Sequence, residues 1–183
     1  TSAIGAGGET PSVTANTESY DGTSWTEVNN MNTARRALAG SGGTASGLVY
    51  GGVPNTAKTE SWNGAVWTET TDMNIGRNNL ASSSASNSSA VAFGGYNSGP
   101  TITGATEEWN AGVAVGAWVT GGNMNTARGR AGDAGTRDAA LVYGGDASPG
   151  ATASTELYSG TVWAEVNDLN SATRQLTGTG TST

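Results

Sequence analysis

The chain has 183 residues, a formal net charge of −7, no cysteine and no histidine. That length suits one well-buried body rather than two independent cores. The charge, with Lys58 the single lysine, sets the chain against nucleic-acid backbones and anionic membranes, which are bound through clustered Lys and Arg. Without cysteine there is neither a disulfide nor a thiolate site, and without histidine the commonest metal ligand and the commonest general base are both missing. No catalytic residue, cofactor site or metal site is expected. Apolar runs such as residues 48–50 are far too short to span a bilayer, so no membrane insertion is expected either. The chain begins at Thr1 without a methionine, as a processed chain or an excerpt would.

Gly, Ser, Thr, Asn and Ala are abundant, which suits short strands joined by tight turns, and regularly placed aromatics argue against disorder. In chain order, residues 3–8 (Ala-Ile-Gly-Ala-Gly-Gly) read as an apolar strand stopped by two glycines. A unit then recurs, starting at Thr17, Thr59, Thr106 and Thr155, each threonine followed by a glutamate. After each pair come an aromatic (Tyr20, Trp62, Trp109, Tyr158), a turn, and a tryptophan (Trp25, Trp67, Trp118, Trp163). The first turn is Asp21-Gly22, a dipeptide favoured where a hairpin needs positive φ, and the third is a longer loop over residues 110–116. Next come Met31, Met73, Met124 or Leu169, each followed by Asn, and an arginine at Arg35, Arg77, Arg128 or, one place later, Arg174. A small-residue strand over 35–44 and an apolar strand ending at Tyr50-Gly51-Gly52 close the unit, with Phe93-Gly94-Gly95 and Tyr143-Gly144-Gly145 as counterparts.

A period of this size with four short strands per unit points to propeller blades before a solenoid. The apolar strand with its double glycine, the following aromatic and then the Trp resemble the Kelch repeat of β-propellers, over essentially the whole chain. The T-E-x-aromatic, D-G, W and N-T-A-R elements also resemble Kelch-like repeats in proteins of tailed, particularly marine, bacteriophages. The expected fold is thus all-β: a four-bladed Kelch-like propeller with four antiparallel strands per blade. Residues 174–183 supply the small-residue strand that residues 3–8 lack, so pairing of 174–182 beside 2–7 is expected to close the ring. The blades would be 174–183 plus 1–30, then 31–72, 73–123 and 124–173, in one domain. Small residues at Ala37, Ala39, Gly40, Ser82, Ser84, Gly132, Gly135, Gly178 and Gly180 would let the inner strands approach the axis.

Arg35, Arg77, Arg128 and Arg174, one per blade, would form a ring near one mouth of the axis. Such a ring could hold a carboxylate or sulfate, or each arginine could pair with a repeated glutamate, Glu18, Glu60, Glu107 or Glu156, as structure. A double-mutant cycle on Arg77 and Glu60 separates the two readings. Asp72, Asp133, Asp138, Asp146 and Asp168 read as loop or strand-end charges without a calcium pattern. Specificity in a repeat scaffold sits in its insertions. The irregular links at Tyr96, Asn97 and the residues after them, at Asp146 onward, and at 111–117 are therefore the candidate ligand-binding sites. Tyr96 beside Asn97 could stack on and hydrogen-bond a sugar.

The functional expectation is a non-enzymatic structural or adhesion module, part of a phage virion as a tail fibre or capsid-decorating component, as the phage resemblance implies. The alternative is a glycan-binding propeller. Partners would be other protein subunits or surface glycans, in a virion or extracellular setting. An enzyme related to the Kelch-containing oxidases would need histidines and a cysteine, which this chain lacks.

Overall fold

The hairpins follow from turn chemistry. At the first of them Gly22 takes φ 109°, and the Asp21 carboxylate accepts the backbone N–H groups of Thr23 and Ser24 at 2.7 and 3.0 Å. Residues 2–83, 86–112, 116–178 and 180 are described by the computed structural model, and they contain strands and turns but no helix.

In chain order, β1 (Ala3–Ala6), β2 (Thr17–Tyr20) and β3 (Trp25–Val28) make the first sheet. The second holds β4 (Ala39–Gly43), β5 (Ser46–Tyr50), β6 (Thr59–Trp62) and β7 (Trp67–Thr70). The third begins with β8 (Ala81–Ser83) and β9 (Ser89–Phe93), continues through a separate hairpin of β10 (Tyr96–Ser98) and β11 (Thr101–Ile102), and finishes with β12 (Thr106–Asn110) and β13 (Ala117–Thr120). The fourth repeats that plan: β14 (Gly132–Thr136), β15 (Ala139–Tyr143), a hairpin of β16 (Asp146–Ala147) and β17 (Gly150–Ala151), then β18 (Thr155–Tyr158) and β19 (Trp163–Val166). All of these pairings are antiparallel.

The expected inner strand over 35–44 is shorter than its sequence suggests, because Ala37 takes a left-handed φ of 52° and the strand starts only at Ala39. Asn79, Arg130 and Gln175 take the same conformation at the equivalent place. Backbone hydrogen bonds link the four in series: Asn79 N–H to Ala37 O at 2.9 Å, Arg130 N–H to Asn79 O at 3.0 Å, and Gln175 N–H to Arg130 O at 2.9 Å. The series sets β4, β8 and β14 side by side. Ser84, expected among the small inner residues, lies outside the described residues, as do 113–115 of the longer loop.

Three apolar cores lie between successive sheets, built from the Trp, Met and apolar-strand columns. Trp67, Trp118 and Trp163 are buried there, and each donates its indole N–H to a threonine hydroxyl of the preceding sheet: Thr17, Thr59 and Thr106, at 3.1, 3.0 and 2.9 Å. The double glycines mark where one sheet meets the next. A Cβ on Gly51 would stand 2.6 Å from the Arg77 carbonyl, and the Gly52 N–H donates to that same oxygen at 2.7 Å.

At the open end of the first sheet, β1 pairs with β2 alone. Residues 174–178 and 180 are not strands, and the Gly180 carbonyl accepts the Gly135 N–H at 3.1 Å, alongside β14. The expected pairing of 174–182 with 2–7 is not among the hydrogen bonds of the described residues, and residues 179 and 181–183 lie outside them. The fold is therefore all-β, a set of antiparallel sheets joined through their first strands and the cores between them.

Candidate functional site

The repeated arginines and glutamates are spent inside the sheets. Arg35 Nη2 lies 2.8 Å from Glu60 Oε1, and its Nη1 donates to the carbonyls of Gly51 and Lys58, both at 2.8 Å. Arg77 does the same with Glu107 at 3.0 Å and with Gly94 and Ala105, and Arg128 with Glu156, Gly144 and Ser154. The side chains of these pairs are at most 1% exposed. Asn32, Asn74 and Asn125 each donate both a backbone and a side-chain N–H to the second oxygen of the same glutamate. These three arginines are thus closed off from solvent rather than lining a mouth. The partners are also offset from Arg77–Glu60: Glu60 belongs to Arg35, and Arg77 to Glu107.

Arg174 stands outside this column. Gly8, Gly52 and Gly95 donate their N–H groups to the carbonyls of Arg35, Arg77 and Arg128, and Gly145 donates to Thr173. Thr173 is therefore the fourth member by backbone register. Glu18 is exposed, and the Arg174 guanidinium lies on Asp146 at 3.1 Å.

The unrepeated groups gather at the β10 and β16 hairpins. The Tyr96 hydroxyl donates to Asp146 Oδ2 at 2.8 Å, Arg130 Nη1 reaches the same oxygen at 3.0 Å, and Arg174 takes Oδ1. The Arg130 guanidinium also lies over the Tyr96 ring, 5.3 Å from its centroid. Gly129 makes this possible, since a Cβ there would come within 2.6 Å of the tyrosine ring. Asp146 is 6% exposed, whereas the arginine side chains are 40% and 59% exposed. Burial opposes ionisation of Asp146, but the hydrogen bonds from Tyr96, Arg174 and Arg130 outweigh it and hold the carboxyl below its ordinary pKa. Burial, followed by the bond to Asp146, raises the Tyr96 phenol.

Tyr96 and Asp146 are thus brought together as a pair of candidates. Asn97 is placed differently: its carbonyl accepts from Asn55 Nδ2 at 2.9 Å, and its own Oδ1 is buried without a partner. Beyond Asn97, a shallow cleft of about 390 Å³ runs between the two hairpins, past Pro100, Ile102, Thr126, Ala127 and Ser148. Arg130 was not singled out from sequence. Its signal is that a charge stands where the other units carry Ala37, Asn79 and Gln175.

Those four left-handed residues line a second cavity of about 490 Å³, with Asp133 beside them. Burial pushes the Asp133 carboxyl up to about 6, against a lowering by the hydrogen bond from the Ser82 backbone. Among the described residues no group of three or more acids could hold a metal ion.

The solved structure of YjhT superposes on this chain with a TM-score of 0.82 at 10% sequence identity, covering 97% of this chain and 71% of that one. This chain accordingly has a β-propeller-like fold. No protein-family model matches the chain, and no curated protein matches it.

Proposed function

We propose that this β-propeller-like chain is a non-enzymatic interaction module made of four Kelch-type blades, with residues 174–182 completing the first blade beside β1. It serves as a structural or adhesion part of a phage virion, in a tail fibre or a capsid decoration, and its partners are other protein subunits of that particle. The observation that carries the reading is how the ionisable groups are used. The repeated arginines and glutamates of three units are consumed in fully buried pairs, which leaves recognition to unrepeated groups on the hairpins. Mass spectrometry of purified particles tests it: the protein should be present in a fixed ratio to the major structural proteins, and its absence would remove the assignment.

A second reading, a glycan-binding surface, is favoured by one specific arrangement. Tyr96, held by Asp146 and Arg130, lines a cavity of about 450 Å³ with Asn78, Asn79, Gly99 and Pro100. Glycan-array binding that is lost in Tyr96→Ala would select this reading over the first.

A further inference from the structure

The three buried arginines occupy pockets of one design, each offering a glutamate carboxylate and two backbone carbonyls. The first sheet carries the same design a fourth time. Glu18 corresponds to Glu60, and Trp25 to Trp67. The Gly7 N–H donates to Asn16 O as the Gly51 N–H donates to Lys58 O, so the Gly7 and Asn16 carbonyls match the two that hold Arg35.

A cavity of about 350 Å³ lies between these groups, lined by Gly5, Gly7, Thr14, Asn16, Glu18 and Trp25. Its walls are open where the other three are closed: Glu18 is exposed and Trp25 is 53% exposed. The chain has no cation to place there. Its eight Lys and Arg side chains are all engaged with other carboxylates, and the position in register with Arg35, Arg77 and Arg128 is Thr173.

We infer that the Glu18 cavity is a guanidinium-binding site that takes an arginine side chain from another protein chain. The matching segment is Asn-x-x-Arg, because Asn32, Asn74 and Asn125 stand three residues before their arginines and cap the same carboxylate. Charge-assisted, two-pronged recognition of this kind selects arginine over lysine, since the planar fork reaches a carboxylate and carbonyls together. The inference does not depend on the virion assignment. It needs the first sheet open to another chain, so it and the pairing of residues 174–182 beside β1 are alternatives that the test separates.

Two measurements test it. A synthetic peptide reproducing residues 124–136 should bind the intact protein in calorimetry. Its Kd should rise about tenfold or more when citrulline replaces the residue matching Arg128, and again when the protein carries Glu18→Gln. If the chain's own C-terminal segment already covers β1, the peptide will not bind. Thr173→Arg should then raise the melting temperature by roughly 2–4 °C, and Glu18→Gln should cancel the rise. Peptide binding indifferent to citrulline or to Glu18→Gln overturns the inference. So does the absence of peptide binding, and a Glu18-dependent gain in Thr173→Arg would then assign the cavity to the chain's own C-terminal segment.

Discussion

Glu60 and Asp146 are both carboxylates held by arginine, yet they belong to different parts of the molecule's economy. Around Glu60 the arginine is fully buried, and every partner recurs in the next unit, down to the exposed asparagine on its second oxygen. Asp146 is nearly buried itself, but its two arginines are largely exposed and come from positions that do not carry an arginine in every unit. The buried pair can only fail as a whole, since removing one partner strands the other in a dry interior. The Asp146 cluster can lose a member while water replaces it. Repetition marks what holds the sheets together, and departure from it marks what is free to meet a ligand.

The widest separation between the two environments should come from Arg77→Ala, expected to cost about 3–5 kcal/mol in urea unfolding. A loss below about 1 kcal/mol would put the buried pair on the same footing as a surface one. A double-mutant cycle should find coupling between Arg77 and Glu107 and none between Arg77 and Glu60, which sharpens the offset between columns.

Trp163→Ala should cost about 3–5 kcal/mol, because it empties a core and removes the bond to Thr106. Trp25→Ala, at the open end, should cost well under half of that; equal losses would mean that Trp25 is buried in solution.

Asp133 gives an intermediate effect that depends on pH. Its carboxyl is pushed from 3.8 to about 6 in the folded state, so the folded protein binds that proton more tightly than the unfolded chain does. The stability that Asp133 contributes is therefore greatest below the lower value, falls as pH rises through the window, and levels off above about 6. The total is on the order of 2–3 kcal/mol. Asp133→Asn should flatten that decline, and an unchanged pH profile would remove Asp133 as its source.

The smallest change is expected for Asp146→Asn, about 1 kcal/mol or less in stability, since its arginines stay hydrated. A loss comparable to that of Arg77→Ala would erase the contrast between the two carboxylates.

Much of this frame is legible in the residues. The hairpin at Asp21-Gly22, the apolar strand stopped at Gly51 and the tryptophan between sheets all follow from local chemistry repeated at a steady spacing. The partner of each arginine is harder to read, because the choice between Glu60 and Glu107 depends on which strand lies beneath which loop. The place of Arg174 was readable, though not from the arginines: counting three residues on from Asn32, Asn74 and Asn125 lands on Arg35, Arg77 and Arg128, and the same count from Asn170 lands on Thr173. The Tyr96–Asp146–Arg130 cluster was half visible, since insertions point to a face but do not say which side chains meet across it. The left-handed turn at Ala37 could not be seen at all, because alanine carries no sign of that conformation.

The pairing of each arginine with a glutamate 25, 30 or 28 residues further along the chain bears on how the molecule is made. Each sheet can finish its most demanding contact once a short additional length has left the ribosome, without waiting for the other end. Such short closures favour rapid, sheet-by-sheet folding, and a growing chain would bury its charges in the order in which it is synthesised.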